Sequence, residues 1–423
     1  MKPIQNYLYC IFSNLIPVYP VYLLLFEQKG LSLSGISLLL MVWSVPVVLL
    51  ELPSGILADR WSRKNLLLIA LLLQAACFTA WLFSDGFFLF AVGFLLWGIS
   101  EALSSGAREA LLFDSLKKDG NEANFDRIYG RGEMFARISL AAAMLLGGII
   151  SEFGGFGWAL IASIFALAGG SVVVLSFTEV NLFREKQPDR IKIFDGHNTK
   201  TLREAVSFLF GSPLLLLPVL LSILVVGMYG TLDEYDPAMA SRFVPGVLWV
   251  ALWGTGRFVL EGIGAEMLPR IKRFFLRLFG IGTIRLIMIF SISGAVSLLL
   301  FALIGKAGLI PLYALYFIVS AGIQVLIEDH IQQRIESQGR STVHSLASLM
   351  ANLYGIIVTL IFAGLFTVLG LMQVLLIVAV YLLFVSGAIN FLIIRKESNE
   401  CQTPDPEPKS VPGSAESIKE PES

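Results

Sequence analysis

The sequence predicts an all-α polytopic membrane protein with about twelve transmembrane helices. Three observations predict this fold class. Hydrophobic residues make up 56% of the 423 residues and charged residues only 15%, and a soluble domain could not bury so much apolar surface. About twelve apolar runs reach the ~20 residues that a helix needs to cross a bilayer. The connections between the runs carry clusters of Lys and Arg, which cannot enter hydrocarbon.

The apolar runs form two sets of six, separated by a polar stretch. The first set is Tyr7–Phe26, Ile36–Leu57, Leu66–Phe83, Phe87–Phe113, Glu133–Ile150 and Trp158–Phe177. The second set is Leu214–Thr231, Val247–Met267, Ile281–Ile304, Ile310–Ile327, Leu346–Leu365 and Leu371–Ile394. Each run is long enough for one membrane-spanning helix.

The polar stretches divide the chain into four parts. We expect an N-terminal six-helix bundle at 1–178, a central cytoplasmic loop at 179–212 and a C-terminal six-helix bundle at 213–395. The last part, 396–423, is rich in Pro, Ser and Glu. Such a composition buries too little apolar surface to fold, so this tail is expected to be disordered.

Basic residues are concentrated in the connections after the second, fourth, sixth, eighth and tenth runs. An excess of Lys and Arg marks cytoplasmic loops, so both termini are expected in the cytoplasm of a multi-pass protein of the inner (plasma) membrane. The net charge of −1 gives no reason to expect a nucleic-acid partner. Cys10, Cys77 and Cys401 lie far apart without metal or disulfide spacing, and no metal or cofactor is predicted.

The connection after the second run carries the most distinctive motif, Gly55-Ile56-Leu57-Ala58-Asp59-Arg60-Trp61-Ser62-Arg63-Lys64. Its glycine permits close approach of two helices at the membrane face. Its aspartate stands where a helix ends, with cations following. This arrangement suits a latch that pairs with a neighbouring helix in one conformation and is released in another.

This motif closely resembles the signature of the major facilitator superfamily, Gly-x-Leu-Ala-Asp-Arg-x-Gly-Arg-Lys, with Ser62 in place of the second glycine. The resemblance implies two pseudo-symmetric six-helix bundles around a central cavity. It also implies secondary transport by alternating access, with the motif as a cytoplasmic gate. The expected gate residues are Gly55, Asp59, Arg60, Arg63, Lys64, Asp114 and Arg131.

Two further stretches, Ser105–Leu116 and Arg340–Leu346, resemble bacterial efflux-type members of the family, which are drug/proton antiporter-like. Proton-coupled antiporters of the family often carry Gly-Pro and then Gly-Gly in the fifth helix. Here the pair Gly147–Gly148 is present, but Ala143–Met144 stands where Gly-Pro would be. The direction of transport therefore stays open.

Several charged residues fall inside the apolar runs. Glu101 lies near the middle of the fourth run, and Arg108 follows seven residues later, which predicts one shared helical face. Arg257 lies in the eighth run with Trp253 and Glu261 one turn to either side. A charge at mid-bilayer costs ~2.5–3.5 kcal/mol on insertion scales, so such residues suggest function.

We predict that Glu101 is the proton-exchanging carboxylate of a polar cavity. Arg257 attracts an anionic group or sets the charge state of Glu101, and Trp253 stacks on a flat substrate or on the guanidinium. The alternative is a lattice of salt bridges, such as Arg257 with Glu261, that merely neutralises charge. The candidates for lining the cavity are Asn14, Tyr19, Ser104, Arg108, Trp253, Arg257 and Gln324.

Three carboxylates, Asp233, Glu234 and Asp236, close the seventh run on the side opposite the motif. They could form an outer gate or attract cations. Alternatively they are the solvated end of a helix.

The sequence predicts a transporter and not an enzyme, because it contains no Ser/His/Asp arrangement and no phosphate-binding loop, so an ion gradient would supply the energy. The first hypothesis is proton-coupled export of a small amphipathic compound by a monomer in the lipid bilayer, whose partners are that small-molecule substrate and protons. The second is proton symport or uniport of a small organic anion held by Arg257 and Arg108. The third is a non-transporting membrane receptor or scaffold with the same fold.

Overall fold

A computed structural model describes residues 1–182, 209–332 and 340–400, with the backbone alone at positions 52, 269, 332, 340–345 and 397–400. These residues form helices and connecting turns. Ten helical segments among them are long and apolar enough to cross a membrane. Two of the predicted runs are not among these ten segments. The first run is divided between two shorter helices, and the eighth run carries Arg257 and Glu261 within its apolar part. The prediction of an all-α polytopic membrane fold is confirmed.

The N-terminal half contains eight helices that account for the first six apolar runs. They are α1 (Pro3–Asn14), α2 (Tyr22–Gln28), α3 (Leu33–Arg60), α4 (Arg63–Leu82), α5 (Phe87–Ser104), α6 (Ala107–Lys118), α7 (Phe125–Gly154) and α8 (Phe156–Leu175). The first run corresponds to α1 with α2, and the fourth to α5 with α6.

The seventh run is divided between two short helices with a π-helical turn between them, and a third short helix follows the run. The described helices of the C-terminal half and this turn account for the other six runs. They are α9 (Pro213–Leu221), the turn Ser222–Val226, α10 (Gly227–Glu234), α11 (Asp236–Ala240), α12 (Val247–Phe279), α13 (Thr283–Ile304), α14 (Ile310–Gln332), α15 (Arg340–Leu365) and α16 (Leu371–Glu400). The helix α16 runs to Glu400, past position 396, where the polar tail was expected to begin. The rest of the predicted tail, and most of the predicted central loop, lie outside the described residues.

The fourth run breaks at Gly106, whose φ of +70° lies in the left-handed region that favours glycine. Glu101 therefore lies on α5, whereas Arg108 lies on α6. The expectation that these two charges share one helical face is wrong, because the 3.6-residue period does not continue across the break.

Aromatic packing fixes the interior of the N-terminal bundle. The rings of Phe26, Trp81 and Phe94 are buried and contact one another, with centroid separations of 4.9 to 5.7 Å. Phe94 also stacks on Trp97, at 6.1 Å between centroids and 5° between planes. Helices in lipid associate through such close packing, because lipid is as apolar as the side chains. The cluster holds the Trp97 ring at the cavity described below.

The glycine pair of α7 lies where the helix packs most closely against its neighbours. A Cβ atom on Gly147 would lie 2.0 Å from the Pro17 carbonyl oxygen. A Cβ atom on Gly148 would lie 2.3 Å from the Ala251 Cβ on α12, across the interface between the bundles. Both distances are far below van der Waals contact, so only glycine fits this packing.

Hydrogen bonds join the two bundles at the end of the molecule opposite the Gly55–Lys64 loop, which we call the outer end. Ser34 Oγ donates to the Ala363 carbonyl at 2.7 Å, and the Ser37 and Tyr235 hydroxyls are 2.6 Å apart. Glu152 on α7 accepts from the backbone N–H of Leu248, in the first turn of α12, at 3.1 Å. Free N–H groups of a helix start need such acceptors, and here the acceptor comes from the other bundle. The outer end is therefore held closed.

Candidate functional site

The Gly55–Lys64 loop comprises the last turns of α3, a two-residue connection at Trp61–Ser62 and the start of α4. Ser62, which replaces a glycine of the family signature, has a φ of −77° and needs no glycine. Its hydroxyl accepts from the backbone N–H of Asn65 at 3.1 Å and so caps α4. The substitution therefore keeps the turn and adds a helix cap.

Arg63 is the centre of the ionic contacts at this loop. Its side chain is buried, donates to Asp114 of α6 at 2.6 Å and lies 3.5 Å from Asp59. Asp114 also accepts from the backbone N–H of Leu182 at 3.0 Å. The predicted grouping of Asp59, Arg63 and Asp114 is therefore present. The side chains at 340–345, in the stretch Arg340–Leu346 that resembles efflux-type members, lie outside the described residues.

Sequence reasoning missed Glu179, which accepts from Ser62 Oγ at 2.6 Å and from the backbone N–H groups of Arg63 and Lys64 at 3.1 and 2.9 Å. A carboxylate at the start of α4 satisfies N–H groups that the helix leaves free. The Lys64 ammonium in turn donates to the Leu175 and Phe177 carbonyls at 2.6 and 2.8 Å. No local pattern pointed to Glu179, because it follows the loop by more than a hundred residues. The other expected gate residues, Gly55, Arg60 and Arg131, are exposed.

Replacing Arg63 with alanine is expected to destabilise the protein by about 2 kcal/mol, because it removes hydrogen bonds between charged groups of which Arg63 and Asp114 are largely buried. The midpoint of SDS-induced unfolding in mixed micelles measures this change. Arg60→Ala is the matched control, because Arg60 is exposed three positions earlier. Equal midpoints for the two variants would contradict a structural role for the Arg63 contacts.

A cavity of about 260 Å³ lies between the bundles. Its lining is aromatic apart from one leucine and two carboxylates: Tyr19, Tyr22, Leu40, Trp43, Phe94, Trp97, Glu101 and Glu234. The Glu101 side chain is exposed to this space, and its carboxylate accepts from the Trp43 indole N–H at 3.1 Å. Glu101 is thus held in place by α3 while remaining open to the cavity.

Glu234 reaches the same cavity from the other bundle. It accepts a hydrogen bond from the Tyr22 hydroxyl on α2, so the contact crosses between the bundles. Glu234 also lines an adjoining cavity of about 50 Å³, together with Asp233, Asp236 and Arg257. The interpretation of these three carboxylates as a solvated helix end is wrong, because Asp236 is only 3% exposed and the other two are half-buried.

Arg257 on α12 is buried among three carboxylates. It donates to Asp236 at 3.1 Å and also to Asp233 and Glu261. Its guanidinium lies 4.1 Å above the centroid of the Phe317 ring. The predicted pairing with Glu261 is confirmed, and the arrangement matches the salt-bridge lattice that the sequence left as an alternative.

Trp253 belongs to the same lattice. Its indole N–H lies 3.0 and 3.2 Å from the two carboxylate oxygens of Asp236, and its ring stacks on Tyr313 at 6.1 Å. The tryptophan therefore fixes the orientation of the carboxylate that Arg257 contacts. It is not among the residues that line the 260 Å³ cavity.

The other predicted cavity residues are distributed more widely. Arg108 donates to Glu133 of α7 and lies 4.9 Å from the Tyr129 ring centroid, within the N-terminal bundle. Asn14 donates to the Cys10 carbonyl at 2.9 Å, and Ser104 to the Glu101 carbonyl at 3.1 Å. Gln324 is exposed on α14. Tyr19 is the member of the predicted set that lines the larger cavity, and Arg257 lines the smaller one.

Sequence reasoning also missed the aromatic wall. Trp97 precedes Glu101 by one helical turn, so the two share a face of α5, and this signal was available. The hydrogen bond from Trp43 to Glu101 joins two different helices, so the sequence pattern of neither helix predicts it. The same holds for Tyr22 and Glu234, which are brought together from different bundles.

Comparison with known proteins agrees with this architecture. Residues 5–359 match the Major Facilitator Superfamily. The uncharacterized MFS-type transporter YxaM of Bacillus subtilis (strain 168) is 23% identical over 379 residues, which cover 86% of this chain and 88% of that protein. A second protein of that organism, the uncharacterized MFS-type transporter YfkF, is 35% identical over 60 residues, which cover 14% of this chain and 15% of its own.

Solved structures of the same fold cover nearly the whole chain. The nucleoside transporter NupG has a TM-score of 0.68 at 17% identity, with 93% of this chain and 98% of that chain covered. An auto-inhibited POT family peptide transporter has a TM-score of 0.70 at 12% identity, with 94% and 97% covered. The D-xylose-proton symporter has a TM-score of 0.68 at 12% identity, with 92% and 96% covered. These similarities show the fold. They do not support the predicted assignment to an efflux-type subgroup. With a family match across most of its length, the chain belongs to the Major Facilitator Superfamily and has the fold of a secondary membrane transporter.

Proposed function

We propose that this transporter exports a small amphipathic compound in exchange for protons, and that Glu101 carries the proton. The observation that carries the proposal is the position of Glu101, an ionisable group exposed to a cavity between two bundles. A carboxylate inside a membrane protein is costly, and such groups mark proton and substrate pathways. The aromatic walls of the cavity offer the apolar surface that an amphipathic compound needs.

The closed outer end supports a transport cycle of this kind. In the outward-facing state Glu101 takes up a proton and the substrate leaves. The bundles then close at the outer end, where Tyr22 meets Glu234 and Glu152 caps α12. The bundles separate at the end that carries the Gly55–Lys64 loop, and Glu101 releases its proton as new substrate binds. Rocking of two related halves around a fixed central site is the general mechanism for such folds.

The rival hypothesis of an organic anion is less well supported. It requires Arg257 or Arg108 to be available to the substrate. Arg257 already contacts three carboxylates, and Arg108 contacts Glu133 inside one bundle. An anion would have to displace these partners and leave buried carboxylates without a counter-charge, which is costly.

Replacing Glu101 with glutamine is expected to abolish substrate-driven proton movement while exchange of labelled substrate continues at saturating substrate concentration, because the amide keeps the shape of the side chain and cannot take up a proton. A pooled thermal-shift screen of amphipathic compounds supplies the substrate. Proteoliposomes loaded with a pH-sensitive dye then report proton flux and its sign under an imposed substrate gradient.

Asp85→Asn is the matched control, because Asp85 is a carboxylate 93% exposed in an outer connection. It should leave proton flux at the wild-type rate. Undiminished coupled proton flux in Glu101→Gln would reject the coupling role. Proton movement in the same direction as the substrate would reject export by exchange in favour of symport.

A further inference from the structure

The walls of the 260 Å³ cavity are mostly aromatic rings set at different angles. Phe94 and Trp97 are nearly parallel, with 5° between their planes. Tyr19 meets Trp97 edge-on, at 6.0 Å between centroids and 67° between planes. Several ring systems converging on one space form a cage. The negative faces of such rings attract a desolvated cation, and the same surface stacks against a flat apolar group.

Both bundles contribute a carboxylate to this cage. Glu101 comes from α5 and Glu234 from α10, and no Lys or Arg occurs among the described residues that line the cavity. The Trp43 indole and the Tyr22 hydroxyl each donate to one of these carboxylates. These neutral donors hold the two groups in place and leave their negative charge uncompensated.

The positive charge in the adjoining cavity does not reverse this balance. Arg257 lines the adjoining smaller cavity, but it contacts Asp233, Asp236 and Glu261, so that lattice carries more negative than positive charge. The field at the interface between the bundles therefore favours a cation over a neutral molecule and a neutral molecule over an anion.

We infer that the substrate is an organic cation that carries an aromatic ring, bound with its charged end between Glu101 and Glu234 and its ring against the tryptophan wall. This inference rests on the proposed function and names its substrate class. Charge balance supports it: when Glu101 releases a proton as a monovalent cation arrives, the total charge of the cavity stays the same. The two bundles then rock around an occupied site whose electrostatic energy is similar in both half-cycles.

Four small probes separate the features of this site. Benzyltrimethylammonium carries a permanent charge and a ring, and tetramethylammonium carries the charge alone. Phenylacetamide is a neutral ring compound and phenylacetate an anionic one. Binding is measured on the purified full-length protein by thermal shift and by the change in tryptophan fluorescence. We expect benzyltrimethylammonium to bind at least about tenfold more tightly than each of the other three, because it gains from both the carboxylates and the rings.

Substitution of either carboxylate tests where the cation lies. Glu101→Gln and Glu234→Gln are each expected to weaken binding of benzyltrimethylammonium by at least about tenfold. Glu101→Asp keeps the charge, so its affinity for benzyltrimethylammonium should stay within a few-fold of the wild-type affinity. Asp85→Asn should bind this probe as the wild type does. Unfolding midpoints measured without probe confirm that each variant is folded.

The inference is overturned if benzyltrimethylammonium does not bind, if phenylacetate or phenylacetamide binds as tightly, or if the two glutamine variants bind the cation as the wild type does. These outcomes are separate from the coupling test. Loss of proton flux in Glu101→Gln without any preference for cations would leave proton coupling standing and reject the cation. Selective cation binding without proton flux would support the cationic substrate and reject proton coupling.

Discussion

Replacing Arg257 with methionine is expected to lower the free energy of unfolding by about 3–5 kcal/mol, the range for removing one partner of a buried ion pair. Methionine fills much of the same volume but leaves Asp233, Asp236 and Glu261 without their counter-charge. It also removes the guanidinium from the Phe317 ring. Unfolding by SDS in mixed micelles, followed by far-ultraviolet circular dichroism, measures the change.

Two control variants test whether the loss of stability comes from the unpaired carboxylates. Arg285→Met changes an exposed arginine near the start of α13, the next helix along the chain, and should shift the midpoint little. Adding Asp236→Asn and Glu261→Gln to Arg257→Met removes most of the unpaired negative charge and should recover a substantial part of the lost stability. A change below about 1 kcal/mol for Arg257→Met, or no recovery in the triple variant, would show that the lattice does not hold the C-terminal bundle together.

The membrane fold could be predicted from sequence because its main cause is local. A backbone in lipid must satisfy its hydrogen bonds within the helix, so each apolar run of sufficient length becomes a helix. The breaks were harder to predict because hydropathy does not register them. Gly106 interrupts an apolar run through its backbone conformation alone. Two prolines, Pro17 and Pro20, accompany the break between α1 and α2, and they were a readable signal.

The candidate site shows the same division between local and distant causes. Glu101 and Arg257 could be identified because a charged residue within an apolar run is unusual wherever it lies. Only one of their contacts could be predicted, the pairing of Arg257 with Glu261, because these two residues are one turn apart on α12. Asp233 and Asp236 reach Arg257 from α10 and α11, and Glu234 meets Tyr22 only because the two bundles close at the outer end. Partners of that kind depend on tertiary packing, which no local pattern in a single sequence encodes.

Closure of the outer end depends on close packing at one glycine, and this gives the prediction with the largest expected effect on conformation. Gly148→Leu should hold the bundles apart at the outer end, because even a Cβ atom at Gly148 would lie 2.3 Å from the Ala251 Cβ. Overpacking of this kind costs about 1–3 kcal/mol, which is roughly 5- to 150-fold in the ratio of outer-closed to outer-open molecules. Transport should slow accordingly, because each cycle must pass through the outer-closed state.

Cross-linking at the outer end measures the shift directly. Cysteines replacing Ser34 and Ala363, whose Oγ and carbonyl oxygen are 2.7 Å apart, should react with a short bifunctional thiol reagent when the outer end is closed. Cross-linking should be efficient in the otherwise wild-type protein and strongly reduced by Gly148→Leu. Gly256→Leu is the matched control: it places the same side chain on α12, where an added Cβ meets nothing within 4 Å. Since both variants add one leucine to a membrane helix, a general effect of bulk or lipophilicity would lower cross-linking in both. Equal cross-linking yields in the two variants would therefore reject the glycine contact as the feature that lets the outer end close.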